Sequence, residues 1–187
     1  NVESLERRLL YARVLGIDVS HWDGSINWAS VKTAGYDFAW AKATQSNNFF
    51  DNTFVTNMTN ANAAGVKIGA YHFPQWDTHP NITGANSADT EADYFWSHAS
   101  SYITSGYLQP MLDVENHPDA NGVTHDPNTY GFTKTTFSQW INEWCAHLIG
   151  LAAAEGVTIN PVLYCGHSLS VNYIDTTVEN KYPLWRP

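Results

Sequence analysis

From residue 16 onward, short apolar runs alternate with longer stretches in which apolar residues recur every three or four positions. The runs cover residues 16–19, 38–42, 67–72, 110–114, 161–164 and 183–185, and they are rich in β-branched and aromatic residues, which suits strands. The intervening periodicity predicts helices over 28–34, 53–64, 85–101, 133–155 and 168–173. The stretch 133–155 is the clearest, because Phe137, Trp140, Ile141, Trp144, Leu148 and Leu151 fall on one helical stripe. Asn27 stands where a helix N-cap belongs, and Gly35, Gly65 and Gly156 follow the ends of helical patterns. Strand and helix in strict alternation predict a parallel sheet with right-handed crossovers.

Residues 1–15 break this pattern. Glu6-Arg7-Arg8 is charged, and Leu5, Leu9 and Leu10 suit a short amphipathic turn. The segment reads as an N-terminal arm or the remnant of a pro-segment, and residues 16–187 as one domain.

Parallel sheets place functional residues at the carboxyl ends of their strands. Here those ends carry Asp18, Lys42 with Thr44, Tyr71 with His72, Asp113 with Glu115, Tyr164, and Trp185. So many polar and aromatic endings imply a barrel or half-barrel with a single mouth. The pair Asp113-Val114-Glu115 is the sharpest signal. On a strand both carboxyls share a face, roughly 7 Å apart. Two like charges so placed favour a site where one carboxyl keeps its proton. A solvated strand end is the plain alternative. Asp18 follows an apolar pair and lies on a strand, whereas Asp23-Gly24 reads as a turn.

Composition narrows the function. The chain has 187 residues, 43% hydrophobic and only 14% charged, which is enough for one globular domain with a sizeable core. Eight Trp and ten Tyr suit both a core and a groove that stacks on sugar rings. Nine Lys and Arg against eighteen Asp and Glu give a net charge of −9, which argues against nucleic acid as a partner. No apolar run is long enough to span a membrane. Cys145 and Cys165 are the only cysteines. About ten residues of helix (~15 Å) and about five residues of strand (~16 Å) would bring them to one height. They form either a helix-to-strand disulfide or two buried thiols. With the sequons at Asn57 and Asn81, the first option favours a secreted, extracellular protein.

The residues Asp18-Val19-Ser20-His21-Trp22-Asp23-Gly24, Lys42-Ala43-Thr44, Gly69-Ala70-Tyr71-His72-Phe73 and Leu112-Asp113-Val114-Glu115 follow one another in an order and spacing that resembles glycoside hydrolase family 25. These are the lysozymes of the Chalaropsis type. Phe50-Asp51 with Phe54 and Asn57, the stretch 88–95, the stretch 161–164 and Pro183-Leu184-Trp185 extend the match to about residues 16–186.

The resemblance implies an α/β fold, a modified TIM-like β/α barrel with an acidic groove, lacking its last strands in this chain. The family continues through two more strands, the last bearing a further cleft acid, so the sequence is expected to be incomplete. The resemblance also implies an N-acetylmuramidase that cleaves the β-1,4 bond between N-acetylmuramic acid and N-acetylglucosamine in peptidoglycan glycan strands. Glu115 corresponds to the general acid/base, Asp113 to its substrate-orienting partner and Asp18 to a further cleft acid. Tyr71, Tyr164 and Trp185 correspond to cleft aromatics, while Lys42 and His72 are candidates for substrate contact. Trp40, Trp140, Trp144 and Phe137 are expected in the core. His21, His72 and His117 lack metal-ligand spacing, so no metal or cofactor is implied. A monomer is expected. A non-catalytic wall-binding relative and a hydrolase of chitin-like glycans are the rival readings.

Overall fold

A computed structural model describes residues 14–119 and 121–185. All but the last two residues of the expected N-terminal arm lie outside the described residues. Strand β1 (Leu15–Val19) leads through α1 (Trp28–Thr33) to β2 (Tyr36–Gln45) and the short β3 (Phe49–Phe50). Helix α2 (Phe54–Ala63) precedes β4 (Lys67–Phe73), and α3 (Ala88–Ala99) precedes β5 (Met111–Val114). A small hairpin, β6 (His117–Pro118) and β7 (Thr124–His125), leads into α4 (Lys134–Ala154) and β8 (Val162–Cys165). Helices α5 (His167–Tyr173) and α6 (Thr176–Glu179) come before β9 (Leu184–Trp185).

The expected elements form within a few residues of their predicted bounds, and their caps explain why. The Asn27 side chain accepts the Ser30 N–H at 3.0 Å, and Thr133 accepts the Thr136 N–H at 3.2 Å. Gly35, just past the end of α1, has φ 93°, a conformation that strains any residue with a Cβ. The hairpin β6–β7, β3 and α6 are too short for periodicity to reveal.

Strands β1, β2, β4, β5, β8 and β9 pair in that order, all parallel, and β3 lies antiparallel on β2. The sheet curls into a half-barrel. Side chains alternate between its faces. The outer face carries Ala39, Ala41, Ala43, Ile68, Ala70, Leu112, Val114, Leu163 and Cys165, which merge with Phe54, Met58, Phe95, Phe137, Trp140, Trp144 and Leu148 from the helices into the main core. The inner face carries a smaller apolar cluster of Trp40, Tyr71 and Met111, with Phe38, Phe73, Leu108, Val162, Tyr164 and Trp185 packed against it. Trp40 is thus buried as expected, but inside the half-barrel and not beneath the helices. Gly69 makes room for it: a Cβ there would come within 2.8 Å of the Trp40 indole nitrogen and 2.9 Å of Leu108 Cβ. That nitrogen donates to the Gln109 carbonyl at 2.9 Å.

The structure overturns the groove position expected of His72 and decides between the two options for the cysteines. His72 does not line the groove. It follows Tyr71 on β4, so it takes the opposite face, and it is fully buried. There its Nδ1 pairs with the Thr44 hydroxyl at 2.7 Å, its Nε2 with Glu91 at 2.7 Å, and its ring stacks on Trp144 at 5.5 Å. Glu91 also binds His79 Nδ1 at 2.7 Å and accepts the Gln75 N–H at 3.1 Å, so this buried carboxylate ties β4 and α3 to the loop after β4. No disulfide joins Cys145 and Cys165; both are buried in the main core, and burial pushes the Cys145 thiol up. Equal heights along helix and strand did not make the two sulfurs meet.

Gly69→Ala should lower stability by about 1–3 kcal/mol by forcing the indole off its carbonyl partner, and urea denaturation measures this. Burial alone would raise the Glu91 carboxyl, but hydrogen bonds from His72, His79 and Gln75 outweigh it and hold it below the ordinary range. A depressed carboxyl contributes stability that is present above its unfolded value and is lost as pH falls through its folded value. Melting temperature should therefore fall on acidification below about pH 4.5, and Glu91→Gln should both lower it at neutral pH and flatten that dependence.

Candidate active site

A cleft of about 790 Å³ opens at the carboxyl ends of β1, β2, β4 and β5. Asp18, Lys42, Tyr71, Asp113 and Glu115 line it, as the sequence led us to expect. The four positions on strands all belong to the inner set: Asp18 pairs with Trp40, Lys42 with Tyr71, and Asp113 with Tyr164. Glu115 lies just past the end of β5, two residues beyond Asp113. Tyr164 and Trp185 sit on the same inner face, half-buried, with ring centroids 5.2 Å apart. Neither lines the cleft where the sequence led us to expect them; both pack into the inner apolar cluster around Trp40, Tyr71 and Met111.

The acids differ in their surroundings. Asp113 is 7% exposed, and its Oδ1 is buried without a hydrogen-bond partner. Burial first, then the charges of Glu115 and Asp18, push its carboxyl well above the ordinary range, with Lys42 opposing. Glu115 opens to the cleft, where partial desolvation and Asp18 raise it while His117 and Lys42 act the other way. Asp18 is raised chiefly by desolvation. Among the described residues, Lys42 is the only Lys or Arg lining the cleft. Its Nζ donates to Gln45 Oε1 at 2.6 Å and lies 4.5 Å from the Phe73 ring centroid. Burial lowers the Lys42 ammonium, and Asp113, Asp51 and Glu115 counteract that. Burial and the nearby acids also push the Tyr71 hydroxyl up.

Such a cleft favours the protonated form of a buried carboxyl, with the Lys42 cation opposing that rise. Its geometry suits acid/base work.

A family model described as glycosyl hydrolases family 25 matches residues 17–186. The chain belongs to this family. Lysozyme M1 of Streptomyces globisporus is 43% identical over 134 residues, covering 71% of this chain and 41% of that protein. An N,O-diacetylmuramidase of a Chalaropsis species is 29% identical over 132 residues, covering 68% of this chain and 56% of that protein. The chain thus spans about half the length of these curated relatives. The crystal structure of a bacterial lysozyme from Streptomyces coelicolor superposes with a TM-score of 0.73 at 36% identity, covering 94% of this chain and 74% of that one.

Around the acids, this family 25 chain places residues to which sequence reasoning assigned no role in the cleft. Asp51 is fully buried and accepts hydrogen bonds from the His21 N–H at 2.9 Å, His21 Nδ1 at 2.8 Å, the Thr53 N–H at 2.9 Å and the Thr53 hydroxyl at 2.7 Å. Burial would raise its carboxyl, but those bonds keep it low, so the anion fixes the His21 tautomer as an Nδ1–H donor. Asp77 binds His117 Nδ1 at 2.7 Å, and the His117 ring lies between Phe73 (5.3 Å) and Trp76 (4.4 Å). Long-range pairs such as these leave no local pattern. Asp23 is the turn acid expected, accepting the Ser20 N–H at 2.8 Å. Among the described residues no cluster of His, Cys, Asp and Glu has the geometry to hold a metal ion.

Since the Lys42 charge holds Asp113 and Glu115 down, Lys42→Met should raise the titration midpoints of both carboxyls. Carboxyl ¹³C NMR across pH 3–9 reads this directly, and unmoved midpoints would refute the coupling.

Proposed function

We propose that this chain is an N-acetylmuramidase, a secreted lysozyme that hydrolyses the β-1,4 bond between N-acetylmuramic acid and N-acetylglucosamine in bacterial peptidoglycan, with antimicrobial effect. Residues 16–187 act as its catalytic domain, working as a monomer outside the cell, with neither nucleic acid nor membrane as partner. The observation that carries this reading is the raised Asp113–Glu115 pair at the carboxyl end of β5, which shares a polar cleft with Asp18.

A glycosidic oxygen leaves only when protonated, and the sugar passes through an oxocarbenium-like state. Glu115 is the proton donor because it opens to the cleft. Asp113 cannot reach a bulky leaving group but can meet a small substituent. Before substrate binds, burial favours the shared proton on Asp113. An acetamido N–H donating to the unpartnered Asp113 Oδ1 would favour its ionised form and leave the proton on Glu115, with Lys42 stabilising the new anion. The glycosidic C–O bond then breaks as Glu115 gives its proton to the departing oxygen. The acetamido carbonyl oxygen closes on the anomeric carbon to form an oxazolinium ion. Glu115, now a carboxylate, takes a proton from the water that opens this ion, and the configuration is retained. The chemistry uses carboxyl groups, the substrate's own amide and water, with no metal or cofactor. Tyr71 borders the reacting sugar, and Tyr164 and Trp185 support it from the inner cluster.

Glu115→Gln should lower turnover of purified peptidoglycan by about 10²–10⁴-fold while retaining binding. The reducing-end sugar released by the native chain should be N-acetylmuramic acid. N-acetylglucosamine at that end would make the protein a glucosaminidase, and the absence of new reducing ends would end the enzymatic reading. A methanolysis product of inverted configuration would exclude participation by the acetamido group. Because the pair must hold one proton, activity should peak at acidic pH and decline as that proton is lost; a maximum above pH 8 would contradict this assignment.

A further inference from the structure

Trp22 is 83% exposed, the most solvent-accessible of the large hydrophobic residues among those described, yet it lies on the wall of the cleft. Exposure of one aromatic is ordinary by itself, but this one lines the cleft, where its face is open to whatever enters. Its surroundings are firmly constructed. It occupies a 3₁₀ turn, His21–Asp23, closed by a reciprocal cap in which Trp22 N–H donates to Ser20 Oγ at 3.3 Å and Ser20 N–H donates to Asp23 at 2.8 Å. The His21 ring supports the indole, with centroids 4.6 Å apart, and itself packs against Phe49 at 5.2 Å. His21 is held at both its backbone and its ring by the buried Asp51. The indole is thus presented on a rigid base.

We propose that Trp22 is an outer sugar subsite of this cleft, stacking against the face of a pyranose ring in a glycan strand that runs on past the catalytic pair. The proposal rests on the reading of the cleft as glycan-binding and adds a contact remote from the reacting bond. Three features select a neutral sugar over a peptide stem. An aromatic face carries negative charge density and attracts the weakly positive C–H face of a pyranose. The same cleft is lined by Gln45, Ser46 and Asn48, which suit hydroxyl groups. Asp18, Asp77 and Glu115 along the same cleft repel the carboxylates of a peptide stem.

The test uses the whole chain in a Glu115→Gln background, so that ligands bind without turnover. Calorimetric titration with neutral β-1,4-linked N-acetylglucosamine oligomers of two to six sugars should show affinity rising with length. Adding Trp22→Ala should leave the shortest oligomers unchanged and weaken the longest by roughly tenfold, while Trp22→Phe should restore most of the loss. A thermal melt identical to the parent's would show that the exposed position is not needed for folding. Equal affinities with and without the indole at every length would overturn the proposal. So would a loss already complete with the disaccharide, or a loss confined to strands that bear peptides. If the Glu115→Gln parent still cleaves peptidoglycan, the catalytic assignment fails while the subsite stands. If it binds no oligomer at any length, both readings fail.

Discussion

Successive residues of a strand must face opposite sides of a sheet, and this constraint fixes nearly every role in the chain. In β2, β4 and β5 one parity is small and apolar and disappears beneath the helices: Ala39, Ala41 and Ala43, then Ile68 and Ala70, then Leu112 and Val114. The other parity carries Lys42, Tyr71 and Asp113 into the cleft. The small outer residues let helices lie close to the sheet. The inner residues are free to be large or charged because a half-barrel leaves that face partly open. A slip of one residue in any strand would bury the carboxyls in the core and expose the alanines, so fold and site are specified together.

The cleft concentrates acids that would be unremarkable apart. Water screening normally keeps neighbouring carboxylates ionised, and here the walls remove part of that water. Asp113 loses most and Glu115 less, which separates two chemically similar groups by environment alone. Lys42 opposes the rise of both. Its partner Gln45 is a neutral amide, so its charge remains directed at the acids instead of being cancelled locally.

Much of this was legible in the sequence because it is written in local periodicity. The stripe from Phe137 to Leu148 became α4, and the spacing of Asp113 and Glu115 brought both carboxyls to one cleft. What could not be read depends on contacts between distant residues. The Asp51 anchor under His21 spans 30 positions, and the Asp77–His117 pair spans 40. His72 is a different kind of miss. Tyr71 and His72 are adjacent on one strand, so both could never have faced the groove, and strict alternation would have sent the histidine to the core. The cysteines stayed undecided between disulfide and thiols for lack of a coordinate: height along an element is legible, but lateral position between elements is not.

The strand that separates Tyr71 from His72 also joins two titrating systems. On the inner side, the Asp113–Glu115 pair takes up a proton early as pH falls, since its carboxyls are raised. On the outer side, Glu91 takes up a proton late, since its hydrogen bonds hold it low. Glu91 anchors His79 and the backbone of Gln75, which belong to the loop that forms part of the cleft wall. Were the two shifts reversed, the loop would loosen before the pair acquired its proton. As arranged, there is an interval of pH in which the pair holds its single proton while the clamp behind it is still ionised. An acidic protein with a net charge of −9 can therefore use carboxyl groups both as reagents and as fasteners, provided that burial and neighbouring acids raise the first while hydrogen bonds overcome burial at the second.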